Sequence, residues 1–267
     1  MPPDLAFWLS LVLKMAVTAG FVIAAAMVAE RAGPAIGALI ATLPIAAGPA
    51  YVFLALDHDA AFISQSAIGS IAAHAATGAF SLAYVVLAQR RGMAVSVIGA
   101  VAVWFVVAFM LRSVPWTFVS VAGANLATFA VCIALTGRYR HVQMPLIVSQ
   151  WYDVPLRALM VSALVAAVVG SSGRVGPTVS GLLAVYPIVM TSLMLIFQPR
   201  VGGPAAAALI ANTMWGLVGF SACLFTVHLA TVPLGTWAGL VLALAVSVAW
   251  NLALWWLRRR RLARLRR

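Results

Sequence analysis

Acidic side chains are almost missing from this chain. Among 267 residues there are five, Asp4, Glu30, Asp57, Asp59 and Asp153, and each falls at the end of an apolar run rather than inside one. Exchangers of cations or protons use carboxylates at membrane depth, so that mechanism is disfavoured. Lysine is scarcer still, with Lys14 the sole example, and charged residues make up 8% of the chain against roughly 25% in a soluble domain. So few charges cannot cover a globular surface, which excludes an ordinary soluble protein. Cys132 and Cys223 both lie within apolar runs, where they read as core residues rather than a disulfide or a metal site. No Gly-x-x-x-x-Gly-Lys phosphate loop occurs, so ATP hydrolysis by this chain is not expected. Nucleophiles and carboxylates do not cluster at depth, so an intramembrane lipid-modifying enzyme is a lesser alternative and the expectation is no enzyme. No cofactor or metal is expected, and the coupling ion is open.

What abounds is apolar text. Hydrophobic residues make up 64% of the chain and mean hydropathy is +1.08. Crossing the hydrocarbon core takes roughly 20 residues of helix. Apolar runs between breakers then predict nine spans, over 5–29, 34–56, 61–88, 93–112, 115–136, 154–170, 177–197, 204–229 and 236–257. The expected class is an all-α polytopic membrane protein.

Alternating the loops between two sides separates the charges. One side receives Arg31, Arg90, Arg91, Arg138, Arg140, Arg200 and the tail arginines 258–261, 264, 266 and 267; the other receives Asp4, Asp57, Asp59, Arg112 and Arg174. The positive-inside rule places the first set in the cytoplasm. The amino terminus is then outside and the carboxyl terminus cytoplasmic, with a bacterial inner membrane as the expected location. The arginine tail reads as an anchor against anionic lipid head groups rather than a nucleic-acid site. The start, Met1-Pro-Pro-Asp, lacks the basic region of a signal peptide. Residues 142–157, half polar with two prolines, read as an interfacial stretch with Trp151 and Tyr152 at head-group level.

The chain also echoes itself. Shifted by 143 residues, Trp8 falls on Trp151, Arg31 on Arg174, Gly33-Pro34 on Gly176-Pro177, and Pro44-Ile45 on Pro187-Ile188, without a gap from residue 8 to 45. After a three-residue gap, Phe80-Ser81 matches Phe220-Ser221. Five spans separate equivalents, so the copies are expected to cross the membrane in opposite directions, in a 5+4 arrangement of inverted repeats. Repeat 1 covers 1–137 (spans 1–4 and the unpaired span 5). A cytoplasmic loop and connector covers 138–153, repeat 2 covers 154–257, and the basic tail covers 258–267.

Inverted repeats place a substrate site near the midplane, often on interrupted helices. Pro44 and Pro187 each come ten residues after a Gly-Pro helix entry, about 15 Å at 1.5 Å per residue, half of a roughly 30 Å core. Each removes an amide donor and displaces a carbonyl, which a protein-lined cavity can re-satisfy. Gly48-Pro49 adds a second breaker to span 2, the better candidate for unwinding. The alternative is a simple kink, with Ser and Thr bonding back to the helix. The candidate substrate-binding set is Thr42, Pro44, Gly48, Pro49, Tyr186, Pro187, Thr191 and Ser192. To it are added Lys14 and Arg157, equivalent basic residues that snorkel or attract an anion, and the polar residues His74 and Asn212. His74 reads as a proton relay or a neutral inter-helix partner, while Asn125 and Asn251 read as helix-to-helix bonds and His228 as a span-end residue in water.

The expected function is a small secondary transporter for an anionic or amphipathic small molecule, lipid intermediates included, working by alternating access. An uncoupled scramblase or conduit and an assembly subunit are the alternatives, and a homo-oligomer is compatible with either. Two proline-broken repeats of this kind resemble, at the level of fold, the sodium/proton antiporters and bile-acid symporters, except that the antiporters' intramembrane carboxylate has no counterpart here. The five-plus-five drug/metabolite exporters are a second shape it resembles, with one span fewer.

Overall fold

A computed structural model describes residues 3–31, 43–142 and 150–265. The described residues form helices and no strands. In chain order they are α1 (Pro3–Arg31), α2 (Ala47–Asp57), α3 (Ala60–Leu87), α4 (Met93–Arg112), α5 (Phe118–Thr136), a short 3₁₀ turn (Gly137–Tyr139), α6 (Asp153–Ala184), α7 (Ile188–Val201), α8 (Gly203–Leu234) and α9 (Thr236–Leu265). Seven of these are long and apolar enough to cross a bilayer; α2 and α7 are shorter apolar helices. The protein is an all-α polytopic membrane protein.

Its outside is oily and its inside is wet-natured, the reverse of a soluble bundle. Val12, Leu13, Ile98, Phe109, Met110, Val119 and Val241 are exposed, whereas Ser64, Ser66, Ser70, His74, Thr77 and Ser81 are buried. All six of those polar residues lie on α3, the most enclosed of the long helices. Lipid cannot bond a hydroxyl or an imidazole, so the helix carrying them takes the centre and the purely apolar ones take the rim. Asp59 caps α3 by accepting from the Phe62 amide, and a Thr117–Ser120 capping box starts α5.

Small residues let the centre close up. A Cβ placed on Gly181 would lie 1.8 Å from the Ser66 carbonyl oxygen, and one on Gly69 would lie 2.2 Å from that of Thr178. The segment Pro177–Ala184 therefore lies directly against α3, held also by the Ser70 hydroxyl donating to the Gly181 carbonyl at 2.6 Å.

Helix starts repeat at the offset seen in the sequence: Ala60 and Gly203, Met93 and Thr236, each 143 apart. The three-residue gap expected before span 3 is absent, so Thr77 corresponds to Phe220 and His74 to Leu217. Helices α3 and α8 run antiparallel, bringing Ser64 to His228, His74 to Leu217 and Ala88 to Gly203.

Three boundaries depart from the sequence expectation. The run Gly170-Ser-Ser-Gly-Arg174 is helical rather than a loop. The Ser171 and Ser172 hydroxyls donate back to the Ala167 and Val169 carbonyls, satisfying in place the polar groups that suggested a turn. The chain reverses instead at Gly176, whose φ of +75° breaks α6 just before Pro177. Span 7 is not one helix, since it stops at Ala184 and restarts at Ile188. Span 8 extends to both sides, joined to α7 and α9 through Gly202 and Gly235, both at positive φ.

Candidate functional site

The broken span is built by proline chemistry. In a continuous helix the Leu183 carbonyl would accept from residue 187, but Pro187 has no amide. The Tyr186 amide bonds Leu183 instead, at 3.1 Å, and the Ile188 amide turns to the Tyr186 carbonyl at 2.6 Å, away from Ala184. Thr191 steadies the restart, with both its amide and its hydroxyl donating to the Pro187 carbonyl. The first copy does the same at the equivalent place. Leu43–Ala46 are non-helical, the Ile45 amide bonds the Leu43 carbonyl, and α2 begins at Ala47 with the Gly48 amide on the Pro44 carbonyl. Gly48 and Pro49 thus sit in the first turn of α2 and do not unwind it. What Pro49 does is withhold the amide that would cover the Ile45 carbonyl.

The two breaks face one cavity of about 120 Å³. Its wall comprises residues 43–47 and 184–190, with Leu193 from α7, His74 and Thr77 from α3, and Thr213, Gly216, Leu217 and Phe220 from α8. Much of that wall consists of offset partners: Pro44 with Pro187, Ile45 with Ile188, His74 with Leu217, and Thr77 with Phe220.

His74 is the polar group of note. It is 1% exposed, flanked by the Phe129 and Phe220 rings at 4.7 and 4.9 Å. Its Nε2 lies 2.9 Å from the Leu217 carbonyl oxygen. A carbonyl only accepts, so Nε2 carries the hydrogen, and in the neutral ring Nδ1 is then a lone-pair acceptor. Nδ1 is enclosed and has no hydrogen-bond partner among the described residues. Trp104, fully buried, donates from Nε1 to the Thr77 hydroxyl at 3.2 Å and meets Tyr186 edge-on at 4.9 Å.

A second cavity of about 470 Å³ adjoins the first and shares Leu43, Pro44, Ile45, Ala47 and Phe220 with it. It runs between α1, α2, α8 and α9, lined by Val17, Phe21, Val52, Leu240 and Leu244 among others. At the matching offset on the other flank, Phe80, Ser81, Tyr84, Ala100, Val161 and Val168 are all fully buried. That flank also carries a polar chain, in which the Tyr84 hydroxyl donates to Gln198 Oε1 at 3.0 Å and Gln198 Nε2 donates to the Arg91 carbonyl at 3.3 Å.

No family model, curated protein or solved structure matches the chain. The site has to be read from its own residues.

Of the residues singled out in the sequence, Pro44, Tyr186, Pro187 and His74 line the first cavity, while Gly48 and Pro49 line the second. Thr42 lies outside the described residues. Thr191 and Ser192 are buried and bond back to the Pro187 and Val189 carbonyls, outside either lining. Asn212 faces away, donating to the Ala208 and Arg140 carbonyls; its neighbour Thr213 faces in. Lys14 lines neither cavity, because its ammonium is held by Asp57 at 2.5 Å. Arg157 lines neither as well. The expected partner Asp153 is engaged by Arg200 through two bonds, and the Arg157 Nε is enclosed without a hydrogen-bond partner among the described residues. Asp57 and Arg200 are themselves 143 apart, so each copy ties the end of its short helix to the preceding long helix by an ion pair, with the signs reversed. His228 does not stand free in water; its Nδ1 lies 3.1 Å from the Ser64 carbonyl, which bridges α8 to α3. Asn125 joins α5, α3 and α8 through Ile71 and Ser221, as expected of an inter-helix bond, whereas Asn251 bonds back within α9 to the Ser247 carbonyl. Thr213 was expected only to bond helix to helix, and Thr77 and Trp104 were not singled out as site residues, although the helical spacing of Thr77 from His74 hints at a shared face.

Proposed function

We propose that this protein is a small secondary transporter that moves an amphipathic small molecule around a site between two inverted repeats. The observation that carries this reading is the cavity walled by two helix breaks at equivalent positions. Interrupted helices meeting at a cavity between repeats are the usual substrate site of such transporters. The antiparallel packing of α3 on its equivalent α8 supports inversion, and α5, without a counterpart, supplies the odd span that inversion requires. Gly48 lines the second cavity while its offset partner Thr191 is buried, an asymmetry in keeping with one state of an alternating-access cycle. Lys14 and Arg157 were the grounds for an anionic cargo. With Lys14 paired and both outside the lining, the amphipathic cargo is the one retained.

Alternating access has a test that needs no substrate. Gly48 and Thr191 are 143 apart; Gly48 lines the second cavity, whereas Thr191 is buried. In proteoliposomes, Gly48→Cys should react with a membrane-impermeant maleimide from one side only, and Thr191→Cys should be protected from both. Adding Tyr84→Phe, which removes the bond to Gln198, should expose Thr191→Cys to the opposite side and reduce labelling of Gly48→Cys. Simultaneous labelling of both positions in one population would indicate an open conduit and overturn the proposal.

Sidedness is checked separately. Arg90 and Ser113 flank α4 and are both exposed. In right-side-out cells, Ser113→Cys should react with the impermeant reagent at once, and Arg90→Cys only after permeabilisation. The reverse order would invert the assigned topology.

A further inference from the structure

The geometry points to a neutral amphipath with a hydrogen-bond-donating head, of the long-chain alcohol class, whose hydroxyl is received by His74 Nδ1 between the two helix breaks. This rests on the cavity being the substrate site and specifies the chemistry of what enters it.

Apart from the Tyr186 hydroxyl, which can both donate and accept, the side chains at the head cavity offer lone pairs rather than hydrogens. His74 commits its Nε2 hydrogen to Leu217, Thr77 donates back to Ala73, and Thr213 donates to Ile210. What remains is the Nδ1 lone pair, enclosed and without a partner among the described residues, together with hydroxyl oxygens. The backbone adds the Ile45 carbonyl, opposite the amide-less Pro49, and the Ala184 carbonyl, from which the Ile188 amide has turned away. An acceptor-rich wall selects a donor, and a buried acceptor left unmet costs the full desolvation of that group.

Charge narrows the head further. No Lys, Arg, Asp or Glu is found among the described lining residues of either cavity. A carboxylate or ammonium would enter unpaired, at a high desolvation cost. The ends of α2 and α7 that face the cavity are amino-terminal, which weighs further against a cation. A hydroxyl avoids both problems, because it donates to Nδ1 and accepts from a helix-end amide at once.

The shape sets the tail. The head cavity, about 120 Å³, takes only a small polar group, and it adjoins, across Pro44, Ile45 and Phe220, the apolar cavity of about 470 Å³. That volume lies within the roughly 300–1,000 Å³ range of ligand pockets. The polar side chains lining it are already engaged: the Tyr51 hydroxyl bonds Ser70, and the Thr18 hydroxyl donates to the Lys14 carbonyl. An alkyl chain is what it solvates.

Three probes of equal tail decide the matter on the full chain in nanodiscs: 1-octanol, octyl methyl ether and octanoate. Saturable binding is measured by NMR saturation transfer with correction for partition into the bilayer. Octanol should bind about five- to tenfold tighter than the ether, the value of one hydrogen bond, and octanoate no tighter than the ether. In protein labelled with ¹⁵N-histidine, octanol should shift the His74 Nδ1 resonance upfield and the ether should leave it in place. His74→Phe should bring octanol down to the ether; should that variant fail to fold, the wild-type comparison and the nitrogen shift decide alone. Octanol equal to the ether, or octanoate binding tightest, overturns the head-group assignment. Leu193→Trp, which fills the head cavity from α7, separates the two levels. If it abolishes saturable binding while octanol equals the ether, only the head group is wrong. If octanol binding survives it unchanged, the cavity is not the site and the transporter reading falls with it.

Discussion

Gly181→Val should be among the most damaging single substitutions in the protein, lowering stability by about 3 kcal/mol, the upper end of the usual overpacking cost. The expected magnitude follows from what stands in the way. The new Cβ meets the Ser66 carbonyl at 1.8 Å, and that oxygen belongs to the backbone of α3, which has no rotamer to escape into. Relief requires Pro177–Ala184 to lift off α3, which would also break the Ser70 bond to the Gly181 carbonyl. Two controls isolate the cause. Ser70→Ala alone should cost only about 1 kcal/mol, since it removes a hydrogen bond without forcing the segments apart. Gly48→Ala, where a Cβ meets open space, should be neutral or slightly stabilising, because alanine is the better helix former. Thermal unfolding in detergent, followed by the far-ultraviolet helical signal, measures all three. A Gly181→Val protein that melts with the wild type would show that the half-helix does not need its close approach.

The second large effect concerns the breaks themselves. Replacing Pro44 and Pro187 together by alanine restores two amides and removes two ring clashes, each worth about 3 kcal/mol in a helix interior. With Ala at 187 the Leu183 carbonyl can accept its normal partner, and residues 177–201 can close into one helix. The head cavity would lose the turned backbone that walls it. We expect saturable octanol binding to fall more than tenfold while the melting temperature stays level or rises. Amide exchange at residues 185–188 should slow as the new helical bonds form. Unchanged binding with unchanged exchange would mean that distant packing, rather than proline, holds the break open. The two predictions oppose each other usefully: one variant loses the fold around the site, and the other loses the site while keeping the fold.

Much of the architecture was legible because the sequence echoes itself at an offset of 143 residues. A single proline in a span is ambiguous between a kink and a break, and Pro187 alone would have remained so. Its recurrence as Pro44, at the same distance from a Gly-Pro entry, marked the pair that proves to line one cavity. Other features were hidden for identifiable reasons. Ser171 and Ser172 looked like a loop because polar text in an apolar chain suggests water, yet each hydroxyl is satisfied one turn back on its own helix. Asn212 was chosen over Thr213, and one residue on a helix is about 100° of rotation, enough to point a side chain out of the cavity. Trp104 gave no local signal at all. Its partners Thr77 and Tyr186 come from α3 and the break between α6 and α7, and only tertiary packing introduces them. Lys14 was recognised as out of place, but Asp57 had been assigned to a loop, so the ion pair between them was not foreseen. The equivalents Arg157 and Arg200 share one sign, and it is Asp153, with no acidic equivalent in the first copy, that makes the second clamp work.

The chain from Tyr84 through Gln198 to the Arg91 carbonyl has no twin, since the residues 143 away are Val227, Ala55 and Leu234. Two otherwise equivalent flanks are therefore tied unequally, and on the proposed alternating-access reading one state would be favoured. If the protein transports as proposed, the direction from which cargo is met is then set by Tyr84, Gln198 and Arg91, on the flank away from the second cavity. If the proposal holds, Val227→Tyr together with Ala55→Gln would tie both flanks and close the site from either side.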